Sequence, residues 1–369
     1  MDQATRVEPA AGTSAGDQAH LHEQHIHDFE FSGRTGEYFR IWIVNVALSI
    51  VTLGIYSAWA TVRTRRYFYA HTRVANAPFE YHARPVPILI GRAIAFTVFL
   101  AYVLAEAFFP LALPLIFVAV AALIPFVVVR SLRFRARYSA WRGIRFRFRG
   151  RYFDAYKYYL FAMPLVLISF GLLYPLIKAW QKQYMVGNHH FGEHRFEVGS
   201  LTESFYRTYA IAWVAGIGLL FLMFLGMMVS AFALPEPVDA ESTVEGAAMM
   251  VASFTMIVGV YLSMFLIGLF IYTRVTNAVY GRTRLDEFGF RSRLSATDMA
   301  WLYFSNTLAI IATLGLAIPW ARIRMARYRA SRLKLTGPDD FDRFVGTPGN
   351  EERAIGAEVG EVFEVDIGL

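Results

Sequence analysis

Between Arg92 and Arg130 the chain carries a single charged residue, Glu106, in 37 positions. So long an apolar run exceeds one crossing of a ~30 Å hydrocarbon core, which takes ~20 helical residues. Pro110 and Pro114 interrupt it near its centre. It reads as two spanning helices, 93–109 and 115–129, folded as a hairpin over 93–129. The uncharged runs 208–234 and 246–273 form a second hairpin over 208–273. An acidic external loop, 233–247, joins them and holds Glu236, Asp239, Glu241 and Glu245.

A second feature is recurrence. Residues 52–67 read TLGIYSAWATVRTRRY and residues 313–328 read TLGLAIPWARIRMARY. Gly54, Trp59, Arg63, Arg66 and Tyr67 match Gly315, Trp320, Arg324, Arg327 and Tyr328, and upstream Asn45 matches Asn306. A weaker middle copy places Gly171 on Gly54 and Tyr184 on Tyr67, with Leu176 where the tryptophan stands. Self-similarity of this kind marks one supersecondary unit used more than once. The three repeats occupy 29–92, 130–207 and 274–334, with apolar segments at 41–60, 158–177 and 301–320. A histidine-containing tail, 1–28, precedes them, and an acidic tail, 335–369, follows.

The units also carry short strand signals. FEF (29–31), FEY (79–81), IRFRFRG (144–150), RFEV (195–198) and FGF (288–290) put aromatic or apolar residues at i and i+2. That period belongs to a strand with one buried face. The expected fold is mainly α: a polytopic helical membrane protein with three internal repeats and short β-hairpins at the cytoplasmic surface, joined at most in one small sheet.

The segment FSGRTGEYFRIWIVNVALSIVTLGIYSAWATVRTRRYFYAHTRV, with FEYHARP after it and EVFEVDIGL at the terminus, resembles the DUF898 (YjgN-like) family of bacterial inner-membrane proteins. The likeness covers residues 29 to 369. It implies an inner-membrane location and brings no established activity and no catalytic residues.

Charge orients the chain. The stretches 61–92, 130–157, 178–207, 274–298 and 322–334 are rich in Arg and Lys, whereas 110–114 and 233–247 have none. Basic loops stay in the cytoplasm. If only the two hairpins span, every basic stretch and both termini are cytoplasmic. If all seven apolar segments span, the late part of the chain is inverted. Gly54, Gly171 with Pro175, and Gly315 with Pro319 break the repeat segments, and broken backbone at membrane depth needs protein or a water-filled cavity around it. Proline-kinked spanning helices are the alternative.

The chemistry-bearing clusters are sparse. There is no cysteine, which excludes disulfides, thiolate metal sites and thiol nucleophiles. His20, His22, His25 and His27 have spacing open to metal, but the surrounding Ala, Gly and Gln fit a solvated tail. No phosphate-cradling glycine loop or nucleophile motif is present, so no enzyme, metal or cofactor is expected. The basic aromatic stretch at 144–151 fits anionic lipid headgroups rather than nucleic acid. Asn45 and Asn306 form the one intramembrane polar pair, either interhelical glue or part of a polar path. Gly259 and Ser263 fit close helix packing, within one chain or in a homo-oligomer. The functional expectation is a transporter or channel for a small solute or lipid. The alternative is a noncatalytic scaffold binding anionic lipid or a protein partner.

Overall fold

The computed structural model describes residues 25–233, 243–338 and 341. It corrects the expected fold class at one point. The short strands are not isolated hairpins on a helical protein but one closed, ten-stranded antiparallel barrel. Its strands are β1 (His25–Phe31), β2 (Thr72–Val74), β3 (Ala77–Tyr81), β4 (Ser139–Trp141), β5 (Ile144–Phe148), β6 (His189–Phe191), β7 (His194–Val198), β8 (Thr283–Leu285), β9 (Phe288–Ser292) and β10 (Leu333–Gly337). Each pairs with its neighbours in chain order, and β1 closes on β10, with His27 opposite Leu335. A three-residue strand left alone would expose unpaired N–H and C=O groups on both edges. Closing the ring satisfies them all.

Four tight turns lie at one end of the barrel. Ala75 and Asn76 have φ 46° and 60°, and Arg142 and Gly143 have φ 50° and 76°, the left-handed pair of a type I′ hairpin loop. From the opposite end emerge five helical hairpins, each bridging two adjacent strands. These are α1 (Thr35–Val51) with α2 (Ser57–Ala70); α3 (Pro85–Phe108) with α4 (Leu113–Arg137); α5 (Tyr152–Tyr156), α6 (Met163–Ile168) and α7 (Tyr174–Gly187); α8 (Thr202–Ala233) with α9 (Thr243–Gly281); and α10 (Ala296–Ala312) with α11 (Ile318–Ser331). Four helices, Pro85–Phe108, Pro110–Arg137, Thr202–Gly226 and Ser253–Gly281, are long and apolar enough to cross a membrane. They belong to the second and fourth hairpins; the other three are shorter.

Alternation places aromatic rings inside the barrel and charges outside. Phe29, Phe79, Trp141, Phe146, Phe191, Phe196, Leu285 and Phe290 line the lumen, while Glu30, Arg73, Glu80, Arg145, Arg147, Arg284 and Arg291 stand on the intervening positions. This inverts the pattern of a transmembrane barrel, which faces lipid with apolar residues and needs strands of ~9–11 residues. The arginines of IRFRFRG are thus the outer half of a strand alternation.

The segment boundaries also differ from the sequence reading. β1 begins inside the stretch expected as a tail, so His25 and His27 sit on a strand, whereas His20 and His22 lie outside the described residues. β10 takes Leu335, Thr336 and Gly337 from the stretch expected as the acidic tail, and Phe341 is buried against the barrel. The acidic loop residues 234–242 lie outside the described residues.

Candidate functional site

The recurring sequence corresponds to three corners with the same bonds. At the end of α1, Leu53 (φ 50°) donates to the Ile50 carbonyl at 3.1 Å and Gly54 (φ 91°) to the Ser49 carbonyl at 2.7 Å. Phe170 and Gly171 do the same to Leu167 and Val166, and Leu314 and Gly315 to Ile311 and Ile310. This is the 5→2 and 6→1 pattern that ends a helix through the left-handed region. The preceding hydroxyl then starts the next helix: Thr52, Ser169 and Thr313 accept the amides of Tyr56, Leu173 and Ala317 at 2.9, 3.1 and 2.9 Å. The left-handed residue at each tip is large and apolar, and Leu53, Phe170 and Leu314 are 95%, 97% and 95% exposed.

At the barrel end of each short hairpin the motif tyrosine holds the entry to its first helix. The Tyr67 hydroxyl donates to the Arg34 carbonyl and accepts its amide. Tyr184 donates to the Arg151 carbonyl at 2.9 Å, and Tyr328 accepts the Ser295 amide at 3.0 Å. Arg66 donates to the Ala83 carbonyl at 3.1 Å, and Arg327 to the Gly33 carbonyl at 3.4 Å, which ties the fifth hairpin to the first. Trp59 stacks on Tyr56, and Trp320 lies beneath the Arg324 guanidinium, 5.1 Å away. Arg63 is exposed.

Asn45 and Asn306 are both buried, at 5% and 6% exposure, but their amides are used differently. Asn306 Oδ1 accepts from Arg324 at 3.1 Å, and Arg324 also reaches the Ser305 hydroxyl at 2.6 Å. Asn45 Nδ2 donates to the Ala60 carbonyl at 3.5 Å, while its Oδ1 has no partner. The two residues therefore brace separate corners, Asn45 against α2 and Asn306 against α11.

The structure brings together a different set of groups at the barrel axis. The lumen holds a cavity of 210 Å³. A belt of ring contacts follows its wall, from Phe29 to Phe79 (6.2 Å), Trp141 (6.3 Å), Phe191 (5.7 Å), Phe146 (5.1 Å), Phe196 (6.4 Å) and Phe290 (6.0 Å). Phe341 stoppers the turn end, stacked on Phe288 at 5.1 Å and edge-on to Trp141 at 5.5 Å, with the Arg142 guanidinium 4.7 Å from its ring. At the helix end lies a second cavity of 580 Å³. It meets the lumen at Phe29, Phe79, Phe146 and Leu333, which line both. Its remaining wall includes Arg135, Arg329, Ser139, Thr72 and His189. Burial pushes the His189 imidazole below its ordinary value, and its Nδ1 bonds the Met185 carbonyl at 2.6 Å. An apolar tube thus opens into a chamber whose wall includes Arg135, Arg329 and the half-buried His189. Among the described residues no group of three or more His, Asp or Glu is arranged to hold a metal ion.

The family model described as "Bacterial protein of unknown function (DUF898)" matches residues 26–362. The chain belongs to the DUF898 family. It is 26% identical to inner membrane protein YjgN of Salmonella typhimurium (strain LT2), over 86% of this chain and 90% of that protein. It is 25% identical to inner membrane protein YjgN of Escherichia coli K12, over 85% of this chain and 89% of that one. No solved structure matches the chain. With four membrane-competent helices and relatives named as inner membrane proteins, the DUF898 chain is a membrane protein.

The i, i+2 aromatics of the strand signals supplied half the lumen wall. Trp141, Phe191 and Leu285 carried no such signal, because their strands are three residues long and none has apolar or aromatic residues at both i and i+2. Arg135 and Arg329 looked like ordinary basic flanks, since nothing in the sequence brings them to one cavity.

Proposed function

We propose that this DUF898 protein is a noncatalytic, lipid-handling protein of the bacterial inner membrane, a carrier for a membrane amphiphile rather than an aqueous channel. The observation that carries the reading is the junction of the apolar, aromatic lumen with the arginine-lined chamber. An acyl chain suits a tube walled by rings, and an anionic head suits Arg135 and Arg329. At 580 Å³ the chamber falls in the usual range of small-molecule sites, ~300–1,000 Å³. A water-filled path would need polar walls, which the lumen lacks.

Barrel closure supports a membrane arrangement to match. Ten strands hydrogen-bonded in one ring lie on one side of a bilayer, so each helical hairpin crosses it an even number of times. The second and fourth hairpins cross twice. The three short ones enter and return, with Leu53, Phe170 and Leu314 at their tips in hydrocarbon. β1 begins and β10 ends at the turn end of the barrel. The arginines on the barrel and on the adjoining helix ends support a cytoplasmic location for the barrel's side.

The test is a long-chain fatty acid carrying a photoreactive diazirine near its tail, added to the purified protein in detergent. Crosslinks are expected in peptides spanning 139–148 and 189–198, and unlabelled fatty acid should compete them away. Crosslinks confined to α3, α4, α8 and α9, whose surfaces contact lipid in any arrangement, would contradict the proposal.

A further inference from the structure

Where α8 leaves the barrel and α9 returns to it, these helices and the start of α10 border an open cavity of 610 Å³, lined by other residues than the lumen and the chamber. Three arginines reach it from three directions: Arg207 on α8, Arg274 on α9, and Arg293 in the linker between β9 and α10. Among the described residues, none of the three guanidiniums has a carboxylate partner. Arg274 lies over the Phe270 ring at 5.5 Å. Asp298, the acid in the first turn of α10, is already held by Arg332 at 2.9 Å. Three like charges around one space, with no carboxylate beside them among the described residues, raise the affinity of that space for an anion.

The linker that presents Arg293 is fixed on both sides. Asn277 Oδ1 accepts the Leu294 amide at 2.9 Å and the Ser292 hydroxyl at 2.8 Å, and its Nδ2 donates to the Leu294 carbonyl at 2.8 Å. The cavity also receives the first residues of α10, Ala296 and Thr297, where the helix dipole is positive. Its walls are graded along the helices. The arginines lie toward the barrel, whereas Ile211 and Phe270 line the part toward the long apolar bodies of α8 and α9. A free phosphate would gain nothing from that apolar wall. A phospholipid would use both ends.

We propose that this cavity is a binding site for the phosphate-bearing headgroup of an anionic phospholipid, with Arg207, Arg274 and Arg293 around the phosphate and the acyl chains running over Ile211 and Phe270. The site is independent of the lumen and stands whether or not the barrel takes up an amphiphile.

The test is native mass spectrometry of the full-length protein released from detergent, with phosphatidylglycerol or phosphatidylethanolamine added. The native chain should retain one phosphatidylglycerol in preference to phosphatidylethanolamine. The combined Arg207→Gln, Arg274→Gln and Arg293→Gln variant should lose about tenfold or more in retention. Arg207→Gln alone, at an exposed side chain, should show a smaller loss at unchanged thermal stability. A matched variant on the barrel exterior, Arg145→Gln with Arg284→Gln and Arg291→Gln, should bind as the native chain does. Equal retention by the cavity variant and the native chain would overturn the site. So would equal loss in both triple variants, which would reduce it to diffuse charge. Displacement of phosphatidylglycerol by inorganic phosphate would reassign the cavity to a free anion and overturn the lipid assignment.

Discussion

The Tyr67 hydroxyl donates to the Arg34 carbonyl at 3.0 Å and accepts the Arg34 amide at 2.8 Å, across 33 positions of sequence. One side chain satisfies both backbone groups of the residue that turns the chain from β1 into α1. Beneath it Gly33 leaves no room for a side chain, since a Cβ would come 2.5 Å from the Phe31 ring and 3.2 Å from the Tyr67 hydroxyl. Gly150 stands in the same relation to Phe148 and Tyr184. Tyr67→Phe leaves a half-buried amide and carbonyl unsatisfied and should cost ~1–3 kcal/mol. Gly150→Ala should cost a similar ~1–3 kcal/mol through overpacking. Thermal unfolding in detergent measures both, and native-like midpoints would show that the clamp contributes nothing.

The two buried asparagines separate under one substitution. Asn306→Leu removes the carbonyl that accepts from Arg324 and should destabilise the fifth hairpin by ~1–3 kcal/mol. Asn45→Leu removes an oxygen without a partner and one long bond, so its cost should be smaller. Equal losses at the two sites, measured by denaturation of each purified variant, would contradict this difference.

His189 gives the barrel a pH dependence of definite sign. Burial lowers its pKa in the folded chain, so the unfolded chain binds the proton more tightly. Its contribution is complete above the ordinary imidazole value of ~6.5 and is lost as pH falls through that value toward the folded one. His190 shifts the same way, through burial first and then through Arg149 and Arg195. The melting temperature should therefore fall between about pH 7 and about pH 5, and His189→Gln should flatten part of that fall. An identical slope in the variant would count against a buried neutral imidazole.

Phe341 closes the turn end of the lumen through Phe288, Trp141 and Arg142. Phe341→Ala should lower stability by ~3 kcal/mol or somewhat more, as for other large-to-small changes at buried rings. It should also speed entry of an environment-sensitive apolar dye into the lumen, followed by stopped-flow fluorescence. Entry at the native rate would mean that access runs through the chamber end alone.

Much of the arrangement was legible in the sequence, and what was hidden has a physical reason. The long helices could be read from charge alone, because hydrocarbon excludes charge over ~20 residues at a time. The recurrence of Gly54 and Gly315 could also be read, although its meaning as a helix-ending corner needs the backbone bonds. Barrel closure could not be read. It depends on β1 meeting β10, with His25 opposite Gly337, and on three-residue partner strands whose pairing comes from neighbours far along the chain. The chamber was hidden for the same reason. Arg135 and Arg329 line one cavity only because both helices return to one ring.

Placement of that ring on one side of the bilayer is tested most directly by single cysteines in this naturally cysteine-free chain. Three sites suffice: Asn76 in the turn between β2 and β3, Leu111 between α3 and α4, and Leu53 at the first short tip. Intact spheroplasts are treated with a membrane-impermeant maleimide, and the labelling is repeated after lysis. Leu111→Cys should label from outside, Asn76→Cys only after lysis, and Leu53→Cys poorly in both. External labelling of Asn76→Cys, or of Leu53→Cys as readily as Leu111→Cys, would contradict a cytoplasmic barrel with three hairpins that enter the bilayer and return.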